Sequence, residues 1–299
     1  MLEHSGTYLN KHSGLLTAPI PLINSLHPLI SSFVRGRIID NASKAQWLVV
    51  LLLLSLAGCG EGHSVLEETF EQAYSVPPTA DVNIRNSDGA VLVYGSDANE
   101  VRINATKKAY TWSKVKQIAV DVSVQPNSIS IDINVPPKPR WAFFDRSGTV
   151  DCIIVVPATV NISKLRLDAG EILLDGMRGA SVHAALGDGR MMVRNCFSDM
   201  DLELERGNLT VSYTWWQHES FSIHANIKKG NACAFLPSEA AFHLIAETEH
   251  GRIVNDFDNK PVLAGPEPQQ IDALIRNGGR ATIKMRAERG DVKIVEANP

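Results

Sequence analysis

Aromatic side chains are scarce in this chain, at 6% of 299 residues. That excludes a core built on them and leaves valine, isoleucine and leucine to fill the interior. An excess of positive charge is missing as well. Lys and Arg number 29 against 33 Asp and Glu, a formal charge of -4, so no strongly basic face is advertised and nucleic acid is not an expected partner. Only four cysteines occur. No Cys/His spacing resembles a zinc site. The histidines at 183, 218, 224, 243 and 250 form no H-x-x-x-H pair, so neither a metal nor a cofactor is expected. A Gly-x-Ser-x-Gly elbow, a P-loop and a dinucleotide fingerprint are all lacking. No catalytic residue is predicted, and the chain does not read as an enzyme. Helical periodicity over three turns is also missing from residue 81 onward, and only Lys107–Lys116 has room for a turn of helix.

Long apolar runs are limited to one, Trp47–Leu56, and its flanks are informative. Arg35, Arg37 and Lys44 precede it, and Leu56-Ala57-Gly58-Cys59 closes it. The run is short for a membrane span, which needs about 20 apolar residues, and has the order of a signal peptide. The closing four residues match the lipobox of bacterial lipoproteins. Cleavage after Gly58 and lipidation of Cys59 are expected, placing the mature chain in the bacterial envelope with the membrane as its first partner. Gly60 stands where an Asp would suggest retention at the inner membrane, which favours the outer membrane in a double-membraned cell. Cys59 lies further in than the roughly 15–30 residues of an ordinary leader. A translation start near Val34 would account for that. Residues 1–58 are therefore read as leader, 59–79 as a lipidated tether, and 80–299 as the folded domain. An exported compartment permits disulfides. Cys152, Cys196 and Cys233 allow at most one, and each sits among apolar residues, where a buried thiol is the default.

After Pro77-Pro78 the pattern becomes period-two alternation, the signature of half-buried strands. Examples are Val82 and Ile84, Val91 and Val93, Ile129 through Val135. The second half repeats a unit of strand, polar-Gly-polar turn and strand. Its glycines are Gly170, Gly189, Gly207, Gly230, Gly251 and Gly290, with Gly89 as an earlier copy. A period near twenty with one glycine per unit predicts stacked repeats, each too short to bury its own apolar face. Glycine suits a tight corner because it reaches positive φ without a Cβ clash. The fold expected is all-β, a single-stranded β-solenoid of rungs of about 20 residues, with a β-sandwich as the alternative. Inward positions are predicted at Leu165, Leu167, Ile172, Leu174, Val182, Leu202, Leu204, Leu209 and Val211.

The recurring Gly-polar-apolar turn, the opening Val82–Gly95, the Val155-Val-Pro-Ala158 entry to the repeats and the closing Arg280–Ile294 resemble the bacterial "putative adhesin" β-solenoid family, also called the toastrack family. The resemblance covers most of residues 80–296. It implies an envelope-exposed solenoid serving adhesion, scaffolding or sensing, and it implies no catalytic residues. Residues 136–148 depart from a regular rung and read as an insertion.

Three groups of side chains stand out as candidates for binding or chemistry. Gly187-Asp188-Gly189 and Gly290-Asp291 look like calcium-binding Gly/Asp turns, but tandem nine-residue copies are lacking and turn chemistry is the reading taken. Trp215 and Trp216 are neighbours, so one should face inward and one outward. They and Trp141, in the insertion between Arg140 and Arg146, are the candidate binding residues. Asp168, Asp188, Glu205 and Glu249 precede turn glycines and would line one edge of a solenoid. A solvated polar corner is the preferred reading of that line, and an acid/base pair the other. The function expected is a non-catalytic envelope protein that binds an envelope protein or polysaccharide. The alternatives are a polysaccharide-active enzyme on a β-helical frame and an envelope-stress sensor.

Overall fold

A computed structural model of the chain describes residues 64–136, 148–257 and 268–297. The lipobox with Cys59, and the insertion with Trp141, lie outside these residues. The described chain is all-β. Fifteen strands form one mixed sheet, and a single turn of helix, α1 (Trp112–Val115), is the exception. That turn falls inside Lys107–Lys116, where room for one was expected.

The middle of the molecule is a stack of long strands in sequence order: β2 (Asp81–Ser96), β7 (Asn161–Asp175), β8 (Ser181–Arg194), β9 (Asp199–Ser212) and β10 (Ser222–Pro237). Each pairs parallel with the next, and Gly89, Gly170, Gly189, Gly207 and Gly230 lie in register across the ladder. Every one of these strands bends at its glycine. In β9, Met200, Leu202 and Leu204 are buried before Gly207, and Leu209 and Val211 after it. The buried parity switches from even to odd, which a straight strand cannot do because neighbours face opposite sides. Connection lengths require the same bend. Four residues, 195–198, join β8 to β9, and they reach about 17 Å at most. A straight strand as long as β8 would hold its ends about 43 Å apart at roughly 3.3 Å per residue. Each long strand is therefore two arms meeting at a glycine corner. We term residues before the corner arm A and those after it arm B.

The corner demands glycine for two reasons. φ at Gly89, Gly170, Gly189, Gly207, Gly230 and Gly290 lies between +121° and +144°, a range that side-chain-bearing residues scarcely adopt. A Cβ on Gly207 would also lie 1.8 Å from the carbonyl oxygen of Gly189, and one on Gly230 1.6 Å from that of Gly207. Gly251 separates the two reasons: its φ is not positive, yet a Cβ there would lie 2.0 Å from the Gly290 carbonyl. Close backbone approach is thus common to the whole column, whereas positive φ is not.

The column is not in sequence order at its far end. β14 (Ala281–Arg289) pairs parallel with both β10 and β11 (Phe242–His250), and β15 (Val292–Ala297) pairs parallel with both β10 and β12 (Ile253–Asn255). The rung containing Gly290 thus lies between those of Gly230 and Gly251. β13 (Gln269–Ile275) closes that end antiparallel to β11. At the other end, β2 is flanked by β5 (Ser128–Asn134) on arm A and β6 (Thr149–Pro157) on arm B. β4 (Ala119–Gln125) pairs antiparallel with β5, and β3 (Glu100–Ala109) with β6. The first half of the domain therefore joins the same ladder.

Residues read as tether are in part a strand. β1 (Leu66–Ser75) pairs antiparallel with β3 along its whole length. Its acidic residues hid the alternation: Phe70 and Tyr74 pack against the core while Glu68 bridges Lys107 at 3.1 Å. Charge of this kind suits an edge strand, which must not recruit another chain.

The core is a continuous aliphatic column between the arms. All nine positions predicted to face inward are buried. At the inner corner, the middle rungs carry Leu167, Leu186, Leu204 and Ile227, whereas the outer rungs carry Asn86 and Thr248. Asn86 donates to the Val150 carbonyl at 2.9 Å and Thr248 to the Gly290 carbonyl at 2.8 Å. Polar side chains there serve main-chain carbonyls at the ends of the stack, as buried polar groups must be served. Cys152, Cys196 and Cys233 are all free thiols. Burial pushes Cys152 and Cys196 up to about 12.

Candidate binding surface

The two arms present different outer faces. On arm A strict alternation puts charged and polar side chains outside, and the register sets opposite charges on adjacent rungs. Lys228 reaches Glu205 at 2.6 Å, Arg206 reaches Asp188 at 3.1 Å, Arg286 reaches Glu249 at 2.7 Å, and Arg166 holds Asp168 within its own strand at 3.3 Å. The uniform acidic edge expected from Asp168, Asp188, Glu205 and Glu249 does not form. Asp188 stands one residue before its glycine and the other three stand two before theirs, so the four do not share a row. Each also has a cationic partner. Hydrogen bonds and the charge of Glu205 and Glu249 raise Lys228 and Arg286 above their ordinary values. Two shallow depressions interrupt this face. One, of about 250 Å³, lies where small Ala185 and Gly187 separate Asp168 from Glu203 and Glu205. The other, of about 230 Å³, lies around Asn226 and Lys228.

The outer face of arm B is half apolar. Ile153, Leu92, Leu173 and Met192 occupy one row, each registered on the next, and Thr210 and Cys233 continue it. Ile153 is 45% exposed, and Leu92, Leu173 and Met192 are partly exposed. Polar pairs border the stripe, with Arg194 on Asp175 at 2.6 Å and Arg190 by Glu171 at 4.0 Å. An exposed apolar stripe with a polar rim is the arrangement of interaction surfaces. The sequence carries a signal for it that alternation alone passes over. After the glycines the apolar residues come as unbroken triplets, Val91-Leu92-Val93, Ile172-Leu173-Leu174 and Met191-Met192-Val193. At these three rungs the middle of arm B is thus apolar on both faces.

The third side is closed by the connections between rungs. Phe197, Tyr213, Trp216, Phe221 and Phe242 make a chain of ring contacts there, with centroids 5.0 to 5.9 Å apart. Tyr213 donates to the Cys196 carbonyl. Of the tryptophan pair, Trp216 is buried at 8% exposure and Trp215 is open at 43%. One faces inward and one outward, although the segment is a loop rather than a strand. Trp215 lies 6.0 Å from Phe197, over which Arg178 also stacks at 5.1 Å. Trp215 is therefore available to a ligand, whereas Trp216 is part of the core.

Among the described residues no group of three His, Cys, Asp or Glu is placed to hold a metal ion. The carboxylates of the Gly/Asp turns are engaged elsewhere: Asp188 with Arg206, and Asp291 with the main chain and side chain of Arg252 at 3.0 and 3.2 Å. His243 bonds Asp272 at 2.7 Å, and His224 is exposed opposite buried Ile223. Some rung-to-rung contacts had no sequence signal. Asn195 Oδ1 accepts from the main chain of Thr214 at 2.9 Å, and Asp199 accepts twice from Ser222 at 2.7 Å.

No family model matches the chain, and no curated protein is similar to it. Among solved structures, a "putative cell adhesion protein" from Clostridium sporogenes is 15% identical with a TM-score of 0.46, over 77% of this chain and 100% of that one. A "putative adhesin" from Bacteroides fragilis is 9% identical with a TM-score of 0.26, over 76% and 97%. A "putative lipid binding protein" from Parabacteroides distasonis is 10% identical with a TM-score of 0.22, over 80% and 97%.

Proposed function

We propose that the mature chain begins at Cys59, is lipid-anchored in the cell envelope, and displays a β-solenoid that binds or scaffolds without catalysis. The glycine column, the parity switch at each corner and the short connections support the solenoid reading over a sandwich. The lipobox supports the anchor, and Gly60 supports the outer membrane. The observation that carries the binding reading is the apolar stripe Ile153-Leu92-Leu173-Met192 on the outside of arm B. A solenoid offers an extended flat face of this kind to a partner. The paired state of Asp168, Asp188, Glu205 and Glu249 weighs against an acid/base pair at the corner.

The test is crosslinking in cells from a photoreactive residue at position 173, with Cys59→Ser as the unacylated control. Capture of one discrete envelope protein, lost when Leu92 and Met192 are replaced by Glu, is the expected result. Adducts unchanged by those substitutions would remove the stripe from the reading. Capture of polysaccharide alone would turn it towards adhesion to glycans.

A further inference from the structure

Leu66 pairs with Ala109 at the end of the antiparallel β1–β3 pair, so the point where the chain enters the domain lies beside the point where β3 gives way to α1. Helix α1 packs on both β1 and β3. Thr111 caps it by accepting from the Lys114 amide, and Val115 is its buried anchor. The other side chains at this end face outward. Trp112 is 53% exposed, Tyr110 42% and Val65 47%, three of the nine large apolar side chains exposed on the described surface. Lys116 is exposed and Lys114 partly so. Among the described residues neither has a carboxylate in ion-pair range, whereas the neighbouring Lys107 and Lys108 are held by Glu68 and Asp151 at 3.1 and 2.9 Å. A rigid end of the molecule thus presents a tryptophan, a tyrosine and two uncommitted ammonium groups.

We propose that Val65, Tyr110, Trp112, Lys114 and Lys116 form the surface on which the domain rests against an anionic lipid bilayer. The proposal rests on the anchored reading above, through the length of chain involved. Cys59 precedes Val65 by six residues, and six residues reach about 20 Å at most. A lipid on Cys59 therefore keeps this end of the domain within reach of the headgroups. The chemistry matches the location. Trp and Tyr favour the headgroup layer, where an apolar ring and a polar tip are both satisfied. Lys is attracted to anionic headgroups.

The test uses the full chain on vesicles of phosphatidylethanolamine and phosphatidylglycerol, with and without bromine in the acyl chains near the glycerol. Emission of Trp112 is obtained as the difference between the wild type and Trp112→Phe. It should fall about twofold in brominated vesicles, as for an indole in the interfacial layer. Lys114→Glu with Lys116→Glu should shift the tethered domain roughly tenfold away from the bilayer at low salt, removing most of that quenching. Cys59→Ser is measured in parallel, held to the vesicles by its uncleaved apolar segment, so the patch is read whether or not acylation occurs. Mass analysis of the Cys59 peptide tests the anchor separately, and an unacylated Cys59 would remove the anchor while leaving the quenching result to decide the patch. Trp112 unquenched by bromine in both forms would overturn the proposal. So would a Trp112 unquenched by bromine yet shielded from acrylamide, an outcome that would place a second copy of the chain on the patch.

Discussion

The rungs of β7 to β10 follow one another in sequence and in space, whereas the rung of β14 and β15 comes last in sequence and lies between two earlier ones. Both kinds use the same corner. Gly207 stacks on Gly189 after 18 residues and Gly290 stacks on Gly230 after 60, with nearly the same approach of backbone to backbone. The geometry of a rung is therefore local, set by a glycine between two apolar pairs. The order of rungs is not local, since the last strands pair between two earlier rungs.

The sharpest way to break the comparison is to remove residues 281–297. β11 and β12 then lose their parallel partners, and β13 loses the strand that holds β11 in place. Hydrogen exchange should show β11–β13 losing protection while β7–β9 keep theirs. Protection retained in β11 would mean that it closes directly onto β10, and that the inserted rung is dispensable.

A glycine series comes next. Gly207→Ala meets both the positive φ and the 1.8 Å contact and should cost roughly 3 kcal/mol or more in urea melts. Gly251→Ala meets the contact without the positive φ, on an outer rung that can shift, and should cost less. Gly176→Ala has φ of +72° with nothing nearer than 3.8 Å and should cost about 1 kcal/mol. Equal losses at Gly207 and Gly176 would sink the close-approach argument.

The thiols compare inside with outside. Cys152 and Cys196 should resist labelling until the protein unfolds, and half-buried Cys233 should react first, as followed by intact mass. Burial holds the first two protonated up to about 12, whereas an unfolded thiol ionises near 9. Their contribution to stability is therefore complete below pH 9 and is lost as pH rises from 9 to 12. A chemical melt insensitive to pH in that window would contradict their burial. The smallest effect belongs to the arm A surface. Lys228→Ala breaks a 2.6 Å pair that is open to solvent on both sides and should leave the thermal midpoint unchanged within error.

Much of the rung was legible before its fold was known. Period-two alternation located Leu165, Leu167, Leu202 and Leu204, and the glycine spacing located the corners. Three things were not legible, each for a physical reason. The gap of 39 residues between Gly251 and Gly290 looks like a missing unit, because nothing local marks β13 as a strand running the other way. Residues 66–75 read as tether, because edge-strand charges dilute the alternation that a covered strand would show. The candidate surface was legible only in part: Trp215 and Trp216 divide as neighbours should, but Trp216 belongs to a ring cluster assembled from three separate segments. The arm B stripe is written in apolar triplets whose outward member is known only once the corner is placed.

The inserted rung also bears on how the chain finishes folding. A chain that becomes available from its N-terminus can stack β7 to β10 as each follows the last, through contacts about twenty residues apart. Closing β14 onto β10 spans three times that distance, which adds only about 1 kcal/mol of loop entropy but must wait for residues 281–297 to arrive. Until they do, the edge of β10 stays open. Completion of the ladder thus depends on residues 281–297, and a chain lacking them would carry an unfilled slot between β10 and β11.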